Sequence, residues 1–253
     1  MADKNTIEMI KKLVAFDTTS RESNLDLINF IKTYLANLGI QSSIISDETG
    51  KKANLYATIG DFNTPGIMLS GHTDVVPVDG QKWNSDPFKC VKIDNKLFGR
   101  GTSDMKGFIG IVLSQLPKFK QAHLKTPIHL AFSYDEEIGC IGVRKLIENI
   151  NSLPVKPKMC IVGEPTSMEV MIGHKGKRSY DVCVNGLEAH SSLTPHGVNA
   201  IEYAAEIISY LKNIADDIAT NGKRDDLYDV PYTTVHTGTI SGGTALNIVP
   251  KKC

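Results

Sequence analysis

The stretch Ile128–Val162 reads IHLAFSYDEEIGCIGVRKLIENINSLPVKPKMCIV and decides the fold. Its apolar run Ile128–Tyr134 predicts a strand, Val143–Ile150 has the apolar spacing of an amphipathic helix, and Met159–Val162 predicts another strand. Strands that alternate with helices are typical of an α/β domain with a mixed, mostly parallel sheet covered by helices. Such sheets bind ligands at the carboxyl ends of their strands, so the polar residues that follow each strand are candidates for a site.

The sequence on the amino-terminal side extends the same α/β pattern. Two amphipathic helices are predicted before Gly39, a residue that suits the left-handed cap at the end of a helix. We expect one α/β domain over residues 1–176. Its other predicted elements are strands over Ser43–Ser46, Leu55–Ile59 and Ile67–Ser70, a hairpin that turns at Asp94-Asn95, and a helix over Met105–Leu116 that ends before Pro117.

The pattern changes after Gly176, and residues 177–253 predict a second, smaller α+β domain. Both domains look incomplete, because a strand pattern that begins at Leu246 stops at Cys253, so we expect a carboxyl-terminal truncation. The expected elements of the smaller domain are a strand over Arg178–Val184, an amphipathic helix over Val198–Ile214, a loop over Asp216–Asp229 and a Thr- and Val-rich strand over Tyr232–Ile240.

The composition narrows the classes of function. The chain has 253 residues, of which 41% are hydrophobic and 22% charged, as is typical of a folded globular protein. Its 28 Lys and Arg residues balance 28 Asp and Glu residues, so no net charge attracts nucleic acid or an anionic membrane. We expect neither of these as a partner, whereas a small neutral or zwitterionic substrate is compatible.

Local features of the sequence indicate a cytoplasmic protein. The longest run of apolar residues and glycine, Gly107–Leu113, is far shorter than the roughly 20 residues of a membrane helix. Met1–Ile10 lacks the uninterrupted apolar core of a secretory signal. The five cysteines show no CxxC spacing, so we expect reduced and mostly buried thiols rather than disulfides or a thiolate zinc site.

Four segments place imidazole or carboxylate groups where predicted strands end. These groups are the ligands expected for zinc, cobalt or manganese. Taken alone, each segment has a plain alternative: a surface turn, a helix N-cap, a solvated acidic turn or a loop carboxylate. Together they favour a shared metal site. The segments are Ser70–Asp74 with His72 and Asp74, Gly99–Gly107 with Asp104, Tyr134–Gly139 with Glu136 and Glu137, and Val162–Thr166 with Glu164.

Spacing suggests how the chemistry is divided within this set. His72 and Asp74 leave the same face of an extended segment, so Asp74 can accept the imidazole N–H while the other nitrogen binds a metal. Glu136 and Glu137 point to opposite sides of an extended chain, so one can bind a metal while the other handles a proton. The HExxH and GxSxG patterns of other hydrolases are absent from the sequence.

In combination and order, four motifs resemble the M20 family of dinuclear metallohydrolases over essentially the whole chain: GHTDVVP (71–77), GRGTSDMKG (99–107), DEE (135–137) and GEPT (163–166). The resemblance implies a zinc-exopeptidase-like catalytic domain with two divalent ions, zinc or cobalt. It implies that His72 and Glu164 bind one ion, Glu137 binds the other, and Asp104 bridges both. It also implies that Asp74 orients His72 and that Glu136 is the general base.

The smaller domain resembles the lid and dimerisation domain of the same family. The motif GLEAHSS (186–192) places His190 where the family has a histidine that reaches a neighbouring subunit's active site and stabilises the oxyanion. Asn247 is implied to contact substrate or the partner's lid, with a turn or strand-end hydrogen bond as the alternative. Lys175 is a candidate to hold the substrate carboxylate. The resemblance implies a homodimer through this domain at full length.

Among M20 enzymes, segments such as Leu13–Ser20 and Gly163–Gly176 look closest to the acetylornithine deacetylases. This implies hydrolysis of N2-acetyl-L-ornithine to ornithine and acetate in arginine biosynthesis. The alternatives are succinyl-diaminopimelate desuccinylase or another M20 aminoacylase or carboxypeptidase. The family's last metal ligand is a histidine after the lid, and this sequence has none at that position. A hypothesis of another class is therefore an inactive, truncated remnant that binds metal or dimerises.

Overall fold

The computed structural model describes residues 3–253, which divide into two compact units. The first unit ends at Ile172, and the second spans Gly173–Cys253. The boundary expected from the sequence, after Gly176, therefore lies inside the second unit.

Helices and strands alternate along the first unit. Its helices are α1 (Lys4–Val14), α2 (Leu25–Asn37), α3 (Lys106–Gln121) and α4 (Val143–Asn151). Its strands are β1 (Ser42–Ser46), β2 (Ala53–Ile59), β3 (Ile67–His72), β4 (Val91–Ile93), β5 (Lys96–Phe98), β6 (Ile128–Ser133) and β7 (Met159–Val162). Each strand predicted for this unit is present, with ends that differ by at most two residues in the large sheet.

Five of these strands form one mixed sheet in the order β1-β2-β6-β3-β7. β2 is antiparallel to both β1 and β6, whereas β3 lies between β6 and β7 and is parallel to both. The register pairs His72 with Ser133 and Ser70 with Val162. The carboxyl ends of the three parallel strands therefore meet at one edge of the sheet.

Helices cover both faces of this sheet, and the predicted α/β class is confirmed. On one face, α1, α2 and α3 pack on β2 and β6 through side chains such as Leu13, Ile31, Leu113 and Phe132. On the other face, Leu146 of α4 packs against Tyr56 and Ala131. Full burial of a large apolar side chain contributes about 1.5–3 kcal/mol to the stability of the fold. This core therefore stabilises the edge of the sheet at which the parallel strands end.

Helix α3 continues through Pro117, where the sequence predicts its end. Proline lacks the N–H that would bond to the carbonyl four residues earlier, which is that of Leu113. The Tyr34 hydroxyl of α2 donates to this carbonyl at 3.2 Å. The predicted end at Leu116 is wrong, because a contact from another helix compensates for the missing hydrogen bond.

The hairpin predicted at Asp94-Asn95 is confirmed, because β4 and β5 pair antiparallel on either side of it. Asp94 and Asn95 have φ values of 47° and 62°. These values lie in the left-handed region, which Asp and Asn tolerate better than most residues and which two-residue hairpin turns need.

The second unit consists of a long helix, a small sheet and irregular segments. Strands β8 (Ala189–His190) and β9 (Ile248–Val249) pair antiparallel, and a 3₁₀ helix (Ser191–His196) leads from β8 towards α5 (Ala200–Asn221). The Asn199 side chain caps α5 by accepting the N–H groups of Ile201 and Glu202. Within residues 3–253, no helix has both the length and the apolar character to cross a membrane.

Some predicted elements of the second unit are wrong. Arg178–Val184 and Tyr232–Ile240 form no strand, because alternation of side chains is not enough where the backbone finds no continuous ladder of partners. Helix α5 ends at Asn221 rather than Ile214 and so includes the start of the loop expected over Asp216–Asp229. Lys212 pairs with Asp216 one turn later, which favours helix across this point.

The expectation that the cysteines are mostly buried is also wrong. Cys90 is buried, whereas Cys140, Cys160 and Cys183 are exposed, and all five thiols are free. Cys160 belongs to β7, which is an outer strand of the sheet and has every residue exposed. Cysteine is usually buried, and the position of Cys160 on this outer strand explains why it is exposed.

Candidate metal centre

His72 is the buried residue around which the predicted ligands gather. It is the last residue of β3, and only 2% of it is exposed. Its Nε2 atom lies 2.9 Å from Asp104 Oδ1 and 3.9 Å from both Glu136 Oε2 and Glu164 Oε1. The shared edge of the sheet, together with the loop before α3, brings these distant parts of the sequence together.

The predicted ligands form two groups that overlap at His72. One group contains His72, Asp104 and Glu164, and the other contains His72, Glu136 and Glu137. Within each group the ligand atoms all lie within 4.8 Å of one another. The first group matches the set that the resemblance implies for one ion. The second includes the proposed general base and omits Asp104, so the roles of individual carboxylates stay predictions.

The carboxylates of the centre are crowded and partly buried. Burial raises the pKa of Glu137, and the negative charge of Asp104 raises it further. Burial also raises the pKa of Glu164, with His72 opposing the effect and Asp104 reinforcing it. A divalent cation would offset both the loss of solvent and the mutual repulsion. With one imidazole among carboxylates, the donor set therefore fits zinc, cobalt or manganese.

Asp74 contacts His72 in a different way from the one that the spacing predicts. The Nδ1 atom lies 3.0 Å from the main-chain carbonyl of Asp74 and 3.5 Å from its Oδ1, so the carbonyl is the better acceptor. The carboxylate instead accepts the Ser20 hydroxyl at 2.8 Å and the N–H groups of Glu136 and Glu137 at 3.1 and 3.2 Å. Asp74 therefore connects the imidazole to the Glu136-Glu137 turn.

A close backbone approach at Gly163 positions Glu164. The Gly163 N–H donates to the Ser70 carbonyl at 3.1 Å and so extends the pairing of β3 with β7 beyond Val162. A Cβ atom at Gly163 would lie 2.0 Å from the Phe108 ring of α3. Only glycine lets the strand end pack this closely against the helix.

The contacts of Lys106 are not evident from the sequence. This residue is fully buried, and its Nζ donates to the Phe16 carbonyl at 2.7 Å. Burial lowers the pKa of Lys106 to about 7, although the charges of Asp17 and Asp74 oppose the shift. The contact ties the Asp104 loop to the segment after α1. Lys106 lies in the GRGTSDMKG motif, but no spacing rule indicates its distant partner.

Two candidate residues of the second unit are neighbours within it. The His190 side chain is exposed, and the Ser192 N–H donates to its Nδ1 at 3.2 Å. The Ser191 N–H donates to the Asn247 carbonyl at 2.9 Å. Asn247 therefore lies beside His190 through the pairing of β8 with β9.

Lys175 has structural contacts of its own in the second unit. Its ammonium donates to the main-chain carbonyls of Val230 and Tyr232 and lies 5.4 Å from the centre of the Tyr228 ring. These contacts explain the lysine without a ligand. The predicted contact with a substrate carboxylate stays a prediction.

Comparison with known proteins adds a second line of observation. The sequence profile of peptidase family M20/M25/M40 matches residues 68–242, a span that includes the whole His72 cluster. The chain belongs to this family. The M20-family chain is 36% identical to the acetylornithine deacetylase of Proteus mirabilis (strain HI4320) and 34% identical to that of Pasteurella multocida (strain Pm70). Each match covers 98% of the M20-family chain. The chain spans 64% and 65% of these longer relatives.

Solved structures support the fold assignment of the M20-family chain. An M20 family metallo-carboxypeptidase from Sulfolobus solfataricus has a TM-score of 0.66 at 20% identity, and the match covers 99% of this chain and 69% of the carboxypeptidase. A tripeptidase from Staphylococcus aureus subsp. aureus Mu50 has a TM-score of 0.64 at 21% identity, and the match covers 100% of this chain and 64% of the tripeptidase. At this identity the likeness concerns the fold alone.

We expect the M20-family chain to bind Co²⁺ more tightly as the pH rises. Burial alone would lower the pKa of His72, but the carboxylates of Asp74, Glu164 and Asp104 outweigh it and raise the pKa from 6.5 to about 9. A protonated Nε2 cannot bind metal, so binding displaces a proton, and affinity should rise about ten-fold per pH unit up to this pKa. Titrations followed by visible absorption check the slope. The exposed His123→Gln variant should keep it, and a pH-independent affinity would contradict a ligand role for His72.

Proposed function

We propose that this chain is the catalytic part of a metal-dependent amide hydrolase that converts N2-acetyl-L-ornithine and water to ornithine and acetate. The observation that carries the proposal is the convergence of three carboxylates on Nε2 of the buried His72. The 36% identity to an acetylornithine deacetylase supports the choice of substrate. Two divalent ions, zinc or cobalt, are the proposed cofactors, held by His72, Asp104, Glu137 and Glu164. A cytoplasmic location stays a prediction.

When bound, the ions would polarise the scissile carbonyl and lower the pKa of the attacking water. Glu136 is the proposed general base, which takes a proton from this water and passes it to the leaving amine. Its Oε2 lies at the border of the cluster, 3.9 Å from His72 Nε2, and its side chain is 38% exposed. Access to solvent suits a group that exchanges protons with water and product.

His190 is the proposed donor to the oxyanion of the tetrahedral intermediate, supplied by a neighbouring subunit. Because the Ser192 N–H donates to Nδ1, this atom is an acceptor, and a neutral ring then carries its proton on Nε2. An Nε2–H donor is what stabilisation of an oxyanion requires. This contact supports the proposed role of His190.

The proposed dimer forms through the second unit. On α5, Tyr203, Ile207 and Tyr210 are exposed and lie on one face of the helix, at intervals of four and three residues. Aromatic and aliphatic side chains on one exposed face are typical of a surface that binds another protein. This supports a homodimer in which α5 faces its counterpart.

Turnover by the 253-residue chain tests the proposed function. Purified protein loaded with Co²⁺ or Zn²⁺ should release ornithine from N2-acetyl-L-ornithine, and chelation should abolish the release. N-succinyl-diaminopimelate, assayed in parallel, distinguishes the desuccinylase alternative. Protein that binds fewer than two ions and turns over neither substrate would favour the inactive remnant.

A further inference from the structure

Two polar residues outside the acidic cluster join the segments that carry it. The Ser20 hydroxyl donates to Asp74 Oδ2 at 2.8 Å. The main-chain carbonyl of the same serine accepts a hydrogen bond from the Lys52 ammonium, which also pairs with Asp135 Oδ1. Ser20 follows α1, Lys52 precedes β2, and Asp135 follows β6, so three separate parts of the first unit meet here.

These contacts close into a ring. Asp135 is bonded to Glu136, and the N–H groups of Glu136 and Glu137 donate to the same Asp74 carboxylate that accepts the Ser20 hydroxyl. We call this set the support ring. It consists of Ser20, Lys52, Asp74, Asp135 and the main chain of Glu136-Glu137. Its two acidic side chains, Asp74 and Asp135, are only 2% and 10% exposed.

The backbone at Asp135 needs this support. Its φ of 53° lies in the left-handed region, which Asp tolerates better than most residues but which still costs free energy that surrounding contacts offset. A buried carboxylate without a partner is also unfavourable. Lys52 is the cation that pairs with Asp135, and 16% of its own side chain is exposed. Lys52 therefore helps to hold the turn before Glu136 in this conformation.

We propose that Lys52 and Ser20 are positioning residues of the metal centre, which set the placement of Glu136 and Glu137 relative to His72 through the support ring. This inference rests on the proposed function. Neither residue is among the ligand groups, so both act through Asp74 and Asp135. Without Lys52, Asp135 turns towards water and the two glutamate N–H groups lose their alignment with Asp74. Residues that orient ligands typically change metal affinity by about 10–100-fold.

Lys52→Met and Ser20→Ala test the proposal, and the chain offers a matched control for each. Lys145 also joins a carboxylate, Glu48, to a main-chain carbonyl, that of Ser46, but neither partner is a member of the ring. Ser23 donates to the Lys51 carbonyl at 2.6 Å. We expect both test variants to bind Co²⁺ at least about ten-fold more weakly and to lose kcat with little change in KM. Lys145→Met and Ser23→Ala should match the wild type in Co²⁺ binding and kcat. Ser20→Thr keeps a hydroxyl and should bind Co²⁺ more tightly than Ser20→Ala.

A double variant separates positioning from simple charge balance. Lys52→Met with Asp135→Asn removes both buried charges, so thermal stability should recover while Co²⁺ binding stays weak. Recovery of binding in the double variant would overturn the proposal. So would wild-type Co²⁺ affinity in both Lys52→Met and Ser20→Ala. If Lys52→Met does not fold, Ser20→Ala alone decides. A wild-type chain that binds no Co²⁺ would instead overturn the proposed function itself.

Discussion

Replacing Glu136 by glutamine should lower kcat for amide hydrolysis by about 10²–10⁴-fold and leave the bound Co²⁺ unchanged. The amide has the shape of the carboxylate but cannot take a proton from water. Glu136 belongs to one of the two groups of possible ligands, so its role as base or ligand is open to direct measurement. Turnover assays combined with metal analysis of the purified variant decide between these two roles.

The control for this variant is Glu148→Gln, on the exposed surface of α4, which should keep wild-type kcat and metal content. Loss of one equivalent of Co²⁺ from Glu136→Gln would show that Glu136 is a ligand and that another group acts as the base. Unchanged kcat would remove Glu136 from the mechanism altogether.

Replacing His72 by alanine should weaken Co²⁺ binding by more than about 100-fold, because a ligand matters more than the residues that orient it. His72 is common to both groups, so its loss affects the whole centre. It also leaves Asp104, Glu136 and Glu164 without the imidazole around which they gather. Equilibrium dialysis against Co²⁺ measures the change.

His190→Ala is the informative control for the loss of a histidine. His190 lies in the second unit and belongs to neither group of ligands, so the variant should lose turnover while its Co²⁺ content stays at the wild-type level. Two equivalents of Co²⁺ retained by His72→Ala at wild-type affinity would refute the proposed centre.

The strands and the candidate ligands of the sheet edge were predictable because their signals are local. An apolar run such as Ile128–Ser133 is long enough to indicate a strand, and the acidic residues begin two positions after it, at Asp135. Motif order then added His72, Asp104 and Glu164, which the structure brings into one cluster. Side chains that follow parallel strands share an edge, whatever their separation along the chain.

Features that depend on distant contacts were not predictable in this way. The passage of α3 through Pro117 relies on the Tyr34 hydroxyl of another helix, and Lys52 reaches Asp135 across 83 positions of the sequence. The expected strand over Arg178–Val184 shows the converse, since its local pattern is suitable but no ladder forms. Asp74 has contacts of both kinds. Its contact with His72, two residues away, was predictable, whereas the hydrogen bonds it accepts from Glu136 and Glu137 join distant parts of the sequence and were not.

The single imidazole shared by the two ligand groups has a consequence for metal preference. His72 Nδ1 is engaged by the Asp74 carbonyl, which leaves Nε2 alone to coordinate, and one nitrogen serves one ion. The other ligand atoms of the two groups in residues 3–253 are carboxylate oxygens. Nitrogen donors suit zinc, whereas purely oxygen surroundings suit manganese or magnesium. An ion that prefers nitrogen, such as zinc, should therefore compete for the position at His72 more strongly than manganese or magnesium does.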